Sequence, residues 1–294
     1  MTTAVSRRAV SFVMLGGSAA LVSVMALLVR ATAGIPGVSA YQTTFFRFLI
    51  GGGVVGAALL AHRRAPVARN HLWLAIRGIC GAGAMLIYFH AITHIGLAKG
   101  TVLLYTNVIW AALLAPFALR DRMDGRLWTS VAVAFAGVYL LLAPAGGLGG
   151  VSRDDALALA AGLVGGIAVV AVKKVRDTDD TTTVFLVLAL SGVLLTAWPA
   201  ARGGFVPDAR AWPLLIGIGL SGTAAKLLSD SAYRHVRGVE GAIWSMLTPV
   251  LNSVAGPLIF GEQLSARGIV GSTLVVGACL RVIVSRAPSR LASG

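Results

Sequence analysis

Val5-Ser6-Arg7 opens an apolar stretch that closes on Arg30-Ala31-Thr32, and Val151-Ser152-Arg153 opens another that closes, at the same spacing, on Arg176-Asp177-Thr178. The echo continues downstream. Thr43-Thr44 with Gly53-Val54 answers to Thr182-Thr183 with Gly192-Val193. Gly81, Ala84, Ala91, His94 and Gly100 answer to Gly222, Ala225, Ala232, His235 and Gly241. Pro116, Asp121, Met123 and Arg126 answer to Pro257, Glu262, Leu264 and Arg267. The chain is therefore a tandem of two related halves, residues 1–147 and 148–294. Duplicated membrane halves with a solute site between them are a common construction of secondary carriers.

Both halves are built to sit in lipid. Of 294 residues, 57% are hydrophobic and only 12% charged, and the mean hydropathy is +0.84. Soluble domains carry about 25% charged residues, so a water-soluble fold is excluded. The 36 glycines suit close helix packing, and Gly52-x-x-x-Gly56 and Gly162-x-x-x-Gly166 have the spacing for it. Cys80 and Cys279 lie inside apolar segments and imply neither a disulfide framework nor a metal site.

Apolar stretches long enough to span a bilayer fall at 9–29, 40–61, 72–93, 97–118 and 127–143. The second half supplies 155–173, 184–201, 211–233, 240–260 and 267–285. Five spans per copy is an odd number, so the second copy enters from the opposite face and the repeats are inverted. The expected fold is an all-α membrane protein of ten helices around a central cavity.

The net charge of +14 would suggest nucleic acid in a soluble protein, but here it sorts by side. Sixteen basic residues share one side: Arg7, Arg8, Arg63, Arg64, Arg69, Arg120, Arg122, Arg126, Lys173, Lys174, Arg176, Arg234, Arg237, Arg281, Arg286 and Arg290. Six face the other: Arg30, Lys99, Arg153, Arg202, Arg210 and Arg267. The positive-inside rule then places both termini in the cytoplasm. Ser6-Arg7-Arg8 ahead of an apolar run also resembles a twin-arginine signal, with Ala31-Thr32-Ala33 as a cleavage site. The length of the run from Ala9 to Val29 favours a retained span instead.

Arg47-Phe48-Leu49, Pro116 with Asp121-Arg122, Leu247-Thr248-Pro249-Val250 and Phe260-Gly261-Glu262-Gln263-Leu264 resemble the drug/metabolite transporters, specifically the EamA-type ten-helix carriers. The resemblance spans nearly the whole chain and is strongest in the second half, around Gly261-Glu262. It implies a basket of helices and export of metabolites or amino acids, with the bacterial aromatic-amino-acid exporters the most similar subgroup. Two features depart from the family pattern. Val108 stands where a proline is frequent, and Lys226 and Asp230 stand where apolar or aromatic residues are frequent.

A charge at the bilayer centre costs about 2.5–3.5 kcal/mol on insertion scales, so every ion inside a span needs a reason. Lys226 lies eight positions before Arg234, with Asp230 at i+4 to pair with it. Gly219, Gly222, Lys226, Ser229 and Tyr233 form a stripe at helical spacing. The pair reads either as a substrate or proton-coupling site or as an internal salt bridge. Gly241, Ser245, Thr248 and Asn252 make a second polar stripe, and Pro249 leaves the carbonyl of Ser245 without its helical donor. Such a face belongs against protein or a water-filled cavity rather than lipid. Asn107 is the repeat mate of Thr248, and Tyr88 that of Ser229, while Tyr105 and Trp244 are aromatic candidates for contact with substrate. Arg47 is expected to hold the bundle together, Arg77 to snorkel to the near surface, and His90 to be a bonded packing residue.

Enzyme motifs are weak. Gly217-Ile218-Gly219-Leu220-Ser221-Gly222 matches a dinucleotide pattern without the preceding strand. Ser221 is the single hook for an intramembrane serine protease. The reading is thus a secondary transporter, not an enzyme, exporting small metabolites such as amino acids across the bacterial inner membrane by alternating access. The alternatives are a multidrug or nucleotide-sugar-type carrier, or the protease. No cofactor or metal is implied. Membrane lipid and a small solute are the expected partners, with protons as a coupling ion and no nucleic acid. Gly16-Gly17 and Gly165-Gly166 are the expected bending points.

Overall fold

The computed structural model describes residues 2–63, 65–119, 125–142, 151–175, 178–204, 208–232, 238–263 and 265–285. Asp121, Met123, Arg176, Tyr233, Arg234, His235, Arg237 and Leu264 lie outside them, as do Arg64, Arg120, Arg122, Arg286 and Arg290. Among the described residues there are twelve α-helices: α1 (Thr2–Thr32), α2 (Ala40–Ala61), α3 (His71–Ile95), α4 (Leu97–Tyr105), α5 (Asn107–Leu119), α6 (Gly125–Leu142), α7 (Arg153–Val175), α8 (Thr181–Arg202), α9 (Trp212–Ala232), α10 (Gly238–Ser245), α11 (Leu247–Phe260) and α12 (Ala266–Ser285). Strands are absent among the described residues. Nine stretches are long and apolar enough to cross a membrane, and Trp128–Leu142 is a shorter apolar tenth. The protein is an all-α, multi-span membrane protein.

Twelve helices make ten spans because two spans are broken. The fourth consists of α4 and α5, interrupted at Thr106, and the ninth of α10 and α11, interrupted at Met246. Pro249 explains the second break, since it cannot donate a helical bond to Ser245. No proline explains the first. There the Thr106 hydroxyl donates to the carbonyl of Leu103 at 2.6 Å and competes with the backbone ladder. The Ser245 hydroxyl does the same to Ala242 at 2.7 Å. The expected bends at Gly16-Gly17 and Gly165-Gly166 are not where the backbone yields, for α1 and α7 run through them unbroken. Those glycines serve close contact instead: a Cβ on Gly16 would meet the Trp244 ring at 3.2 Å, and one on Gly165 would meet Asn107.

The main packing partners are α3 with α7, α1 with α9, α6 with α12, α2 with α8, and α4 with α11. Exchange of the halves turns α3 with α7 into α9 with α1 and returns α6 with α12 and α2 with α8 to themselves, whereas α4 with α11 becomes α10 with α5, which do not pack to a comparable extent. α2 starts on a capping box, Ser39 accepting from the backbone of Gln42 while the Gln42 side chain accepts from Ser39 N–H at 2.7 Å. The largest apolar core joins α4, α5, α6 and α12, with Ile109, Val131, Val275 and Cys279 all buried.

Gly162-x-x-x-Gly166 is what lets α7 lie against the broken fourth span. A Cβ on Gly162 would sit 2.8 Å from the Leu103 carbonyl, and one on Gly166 would sit 2.9 Å from the backbone nitrogen of Ala111. Gly56, by contrast, has nothing within 4 Å. Gly166→Ala is therefore expected to cost about 1–3 kcal/mol through backbone displacement, and Gly56→Ala to be neutral or stabilising. Thermal unfolding of the two variants in detergent checks the contrast.

Candidate functional site

At one end of the bundle a carboxylate closes the helices. Glu262, just past α11, accepts from the backbone N–H groups of Leu97 at 2.7 Å and Ala98 at 3.2 Å, the first turn of α4. Its Oε1 also takes Arg30 Nε at 3.0 Å, while Arg30 Nη1 donates to the carbonyl of Thr93 at 3.0 Å. One side chain thus ties α1, α3, α4 and α11. Gly96 (φ 97°) and Gly261 (φ 64°) supply the turns, and Gly256 leaves room, since a Cβ there would lie 2.5 Å from Oε2. Lys99 Nζ to Asp155 at 2.7 Å and His90 Nε2 to Asp154 at 2.8 Å tie α3 and α4 to α7 at the same end. His90 is stacked on His94, in keeping with the bonded packing role expected of it.

Below this closure runs a buried polar chain. Ser23 donates to Asn252 Oδ1 at 2.5 Å, Asn252 Nδ2 to Thr101 Oγ1 at 3.0 Å, and the Tyr88 hydroxyl meets Thr101 at 3.0 Å. Thr248 donates to the Ala19 carbonyl at 3.3 Å, and Ser18 to that of Ala225 at 2.8 Å. Tyr88, Thr248 and Asn252 are almost fully inaccessible. In this conformation they join α1, α3, α4 and α11 and do not line an open cavity. Trp244 packs on Phe12 and Gly16, Ser245 bonds within its own helix, and Asn107 abuts Gly165. Tyr105 is half-buried against the α6–α12 core.

Lys226 and Asp230 are the sequence candidates that the structure does bring to a cavity. They are paired on α9 and line a space of about 300 Å³. Its other walls are Arg77 on α3, Val172 and Val175 on α7, and Val184, Phe185 and Leu188 on α8, with Asp179 and Thr181 at the rim. The walls therefore come from spans three, six, seven and eight. The cavity lies at the end of the bundle opposite Glu262. Larger grooves exist but are apolar and bordered by exposed Ile79 and Leu194, or by Val254 and Leu258, which are surfaces for lipid.

Three functional-looking residues escaped the sequence reading. Arg77 does not snorkel away: its Nε is buried in the cavity wall without a hydrogen-bond partner. Phe185 and Asp179 have no sequence signal beyond their position near the start of the seventh span. Asp179 accepts from the backbone N–H of Arg69 at 2.7 Å and Asn70 at 3.3 Å, and from the Thr178 hydroxyl. Those bonds, Arg69 first, hold its pKa below the usual carboxylate value. Ser221 Oγ donates to the Gly217 carbonyl at 2.6 Å, an ordinary helix back-bond.

Residues 9–143 and 153–284 each match the EamA-like transporter family. The chain belongs to that family and is a membrane transporter rather than an enzyme. It is similar to the pseudopaline exporter CntI of Pseudomonas aeruginosa, 29% identical over 265 residues, covering 88% of this chain and 90% of that one. It is also similar to the S-adenosylmethionine uptake transporter of Rickettsia felis, 20% identical over 246 residues and 83% of each chain. A solved crystal structure 22% identical in sequence superposes with a TM-score of 0.59 over 94% of this chain and 98% of that one, which shows the shared fold.

Two outcomes are expected. Glu262→Ala strips a charged acceptor from two backbone donors and Arg30, and should cost about 2 kcal/mol or more, read as a fall in unfolding temperature. Asp179 has a depressed pKa in the folded state, so its stabilisation is present above the ordinary value of 3.8 and is lost as pH falls through the folded value. Asp179→Asn should be less stable than the parent at neutral pH and show a flatter loss below about pH 4, measured by thermal unfolding across that range.

Proposed function

We propose that this protein is a secondary transporter of the bacterial inner membrane that exports small amino-acid-type metabolites by alternating access. In this reading the two halves, 1–147 and 148–294, are inverted repeats, and both termini are cytoplasmic. The observation that carries it is an ion pair inside a span, Lys226 with Asp230, facing a cavity at one end while Glu262 and Arg30 close the other. A charged pair within a membrane helix that meets a cavity is by default part of a substrate or ion path. The pairing of helices that survives exchange of the halves, and breaks in spans four and nine that each follow one short helix from the span's N-terminal end, support inversion.

The same reading assigns the buried polar chain a role when the cavity opens the other way. Parting α1 and α4 from α11 would expose Tyr88, Thr248 and Asn252 to solute, with Tyr105, Asn107, Trp244 and Ser245 at the hinges of the broken spans. Protons are the coupling ion in this scheme, with Lys226 and Asp230 as the exchangeable groups.

The test is uptake of labelled amino acids into proteoliposomes, with and without a pH gradient. Saturable uptake that falls at least ten-fold in Lys226→Met and in Thr248→Leu is the expected result, and stimulation by the gradient would establish proton coupling. Folded protein that moves none of the amino acids, but does move a lipophilic cation or a nucleotide sugar, would overturn the amino-acid assignment.

A further inference from the structure

Of 25 lysines and arginines in the chain, three lie well inside spans: Arg47 in α2, Arg77 in α3 and Lys226 in α9. Lys226 has Asp230. No ion pair among the described residues includes Arg47 or Arg77. Arg47 is 5% exposed and its guanidinium lies over the Phe48 ring at 5.6 Å, but its Nε and Nη1 are buried without a hydrogen-bond partner, as is Nε of Arg77. Buried charges are ordinarily paired, because an unpaired one forfeits its hydration with nothing in return. The two acids on the cavity, Asp230 and Asp179, are already engaged, the first by Lys226 and the second by Arg69, Asn70 and Thr178.

The two guanidiniums flank one path. Arg77 forms the cavity wall beside Leu188, lying across Gly81, where a Cβ would collide with its Nη1. Arg47 lies near Phe185: a Cβ on Gly51 would meet Arg47 Nη1 at 2.8 Å, the Thr223 hydroxyl at 2.7 Å and the Phe185 ring at 3.4 Å. Phe185 is itself a cavity residue. Phe185 thus borders both the cavity and the neighbourhood of the second guanidinium, which has no ion-pair partner among the described residues.

We propose that the transported solute is a net anion whose carboxylate docks on Arg77, and that Arg47 is the next station for it beyond Phe185. This rests on the transporter reading above and specifies its substrate class as organic acids or amino acids carrying an excess carboxylate. A guanidinium presents forked donors that match a carboxylate in two hydrogen bonds. The solute's carboxylate supplies Arg77 with the ion-pair partner that it lacks among the described residues.

The test is calorimetric binding to the purified full chain in detergent, with citrate, L-glutamate and L-leucine as probes at matched ionic strength. Citrate and L-glutamate should bind at least ten-fold tighter than L-leucine. Arg77→Gln should weaken citrate at least ten-fold, with Arg77→Lys recovering part of the loss. Arg47→Gln should leave citrate binding intact and abolish citrate exchange in proteoliposomes. Equal affinity for L-leucine and citrate, or indifference to Arg77→Gln in a folded variant, would overturn the proposal. Displacement of citrate by phosphatidylglycerol in mixed micelles would also overturn it, by assigning Arg77 to a lipid headgroup. L-leucine uptake that is lost in Lys226→Met but untouched in Arg77→Gln would remove the anion inference and leave the transporter. Citrate binding without any transport would do the reverse.

Discussion

The Glu262 carboxylate is the contact on which the remaining geometry depends. The fourth span starts at Leu97 directly after the Gly96 turn that ends α3, and the N–H groups of Leu97 and Ala98 in its first turn have no partner within the helix. Glu262 satisfies both, and in doing so brings the end of α11 onto the start of α4. The same oxygen that holds Leu97 neutralises Arg30, so α1 is drawn in as well. Gly96 and Gly256 make room for the carboxylate and Gly261 turns the chain toward it, which is why so polar a junction can be this tight. With that end drawn together, the polar cavity among the described residues lies where α3, α7, α8 and α9 meet, at the far end.

The requirement behind this is general to lipid: a backbone polar group without a partner costs several kcal/mol, so a broken helix has to be answered by protein. The chain answers with short side chains. Thr106 and Ser245 occupy carbonyls near the breaks, and Ser23, Thr101, Tyr88 and Asn252 bond one another across four helices. These are modest bonds individually. They also lie where the two halves meet, so they are the bonds an opening motion would exchange for bonds to water or solute. Glue and binding site are two states of one set of residues on this view.

Much of the architecture was legible beforehand, and for a clear reason. The ten spans follow from apolar length, which the bilayer thickness imposes on each segment separately; the stretch at 40–61 coincides with α2, and that at 97–118 with α4 and α5 together. The pairing of Lys226 with Asp230 follows from helical spacing alone. Arg77 was not legible, because snorkelling and cavity lining demand the same residue at the same depth and differ only in which neighbour stands beside it. Nor was the break at Thr106, which arises without the proline that normally marks one. The glycine pairs at 16–17 and 165–166 misled in the opposite sense, since glycine loosens a helix in isolation but, between packed helices, lets backbones approach.

What the sequence by itself determined is therefore what is local or periodic: the spans, the duplication, the polar stripes and the sorting of basic residues. Only the tertiary structure decided which stripe is sealed and which meets a cavity. Tyr88, Thr248 and Asn252 look as suited to solute as Lys226 does, yet they are closed over by α1 and α4, whereas Lys226 faces Arg77 across open space. The physical reason is that burial and ion pairing are properties of residues brought together from distant segments. Glu262 with Arg30, and the buried Nε of Arg77 without a hydrogen bond, are settled by how α3 and α11 pack and not by the composition of either helix.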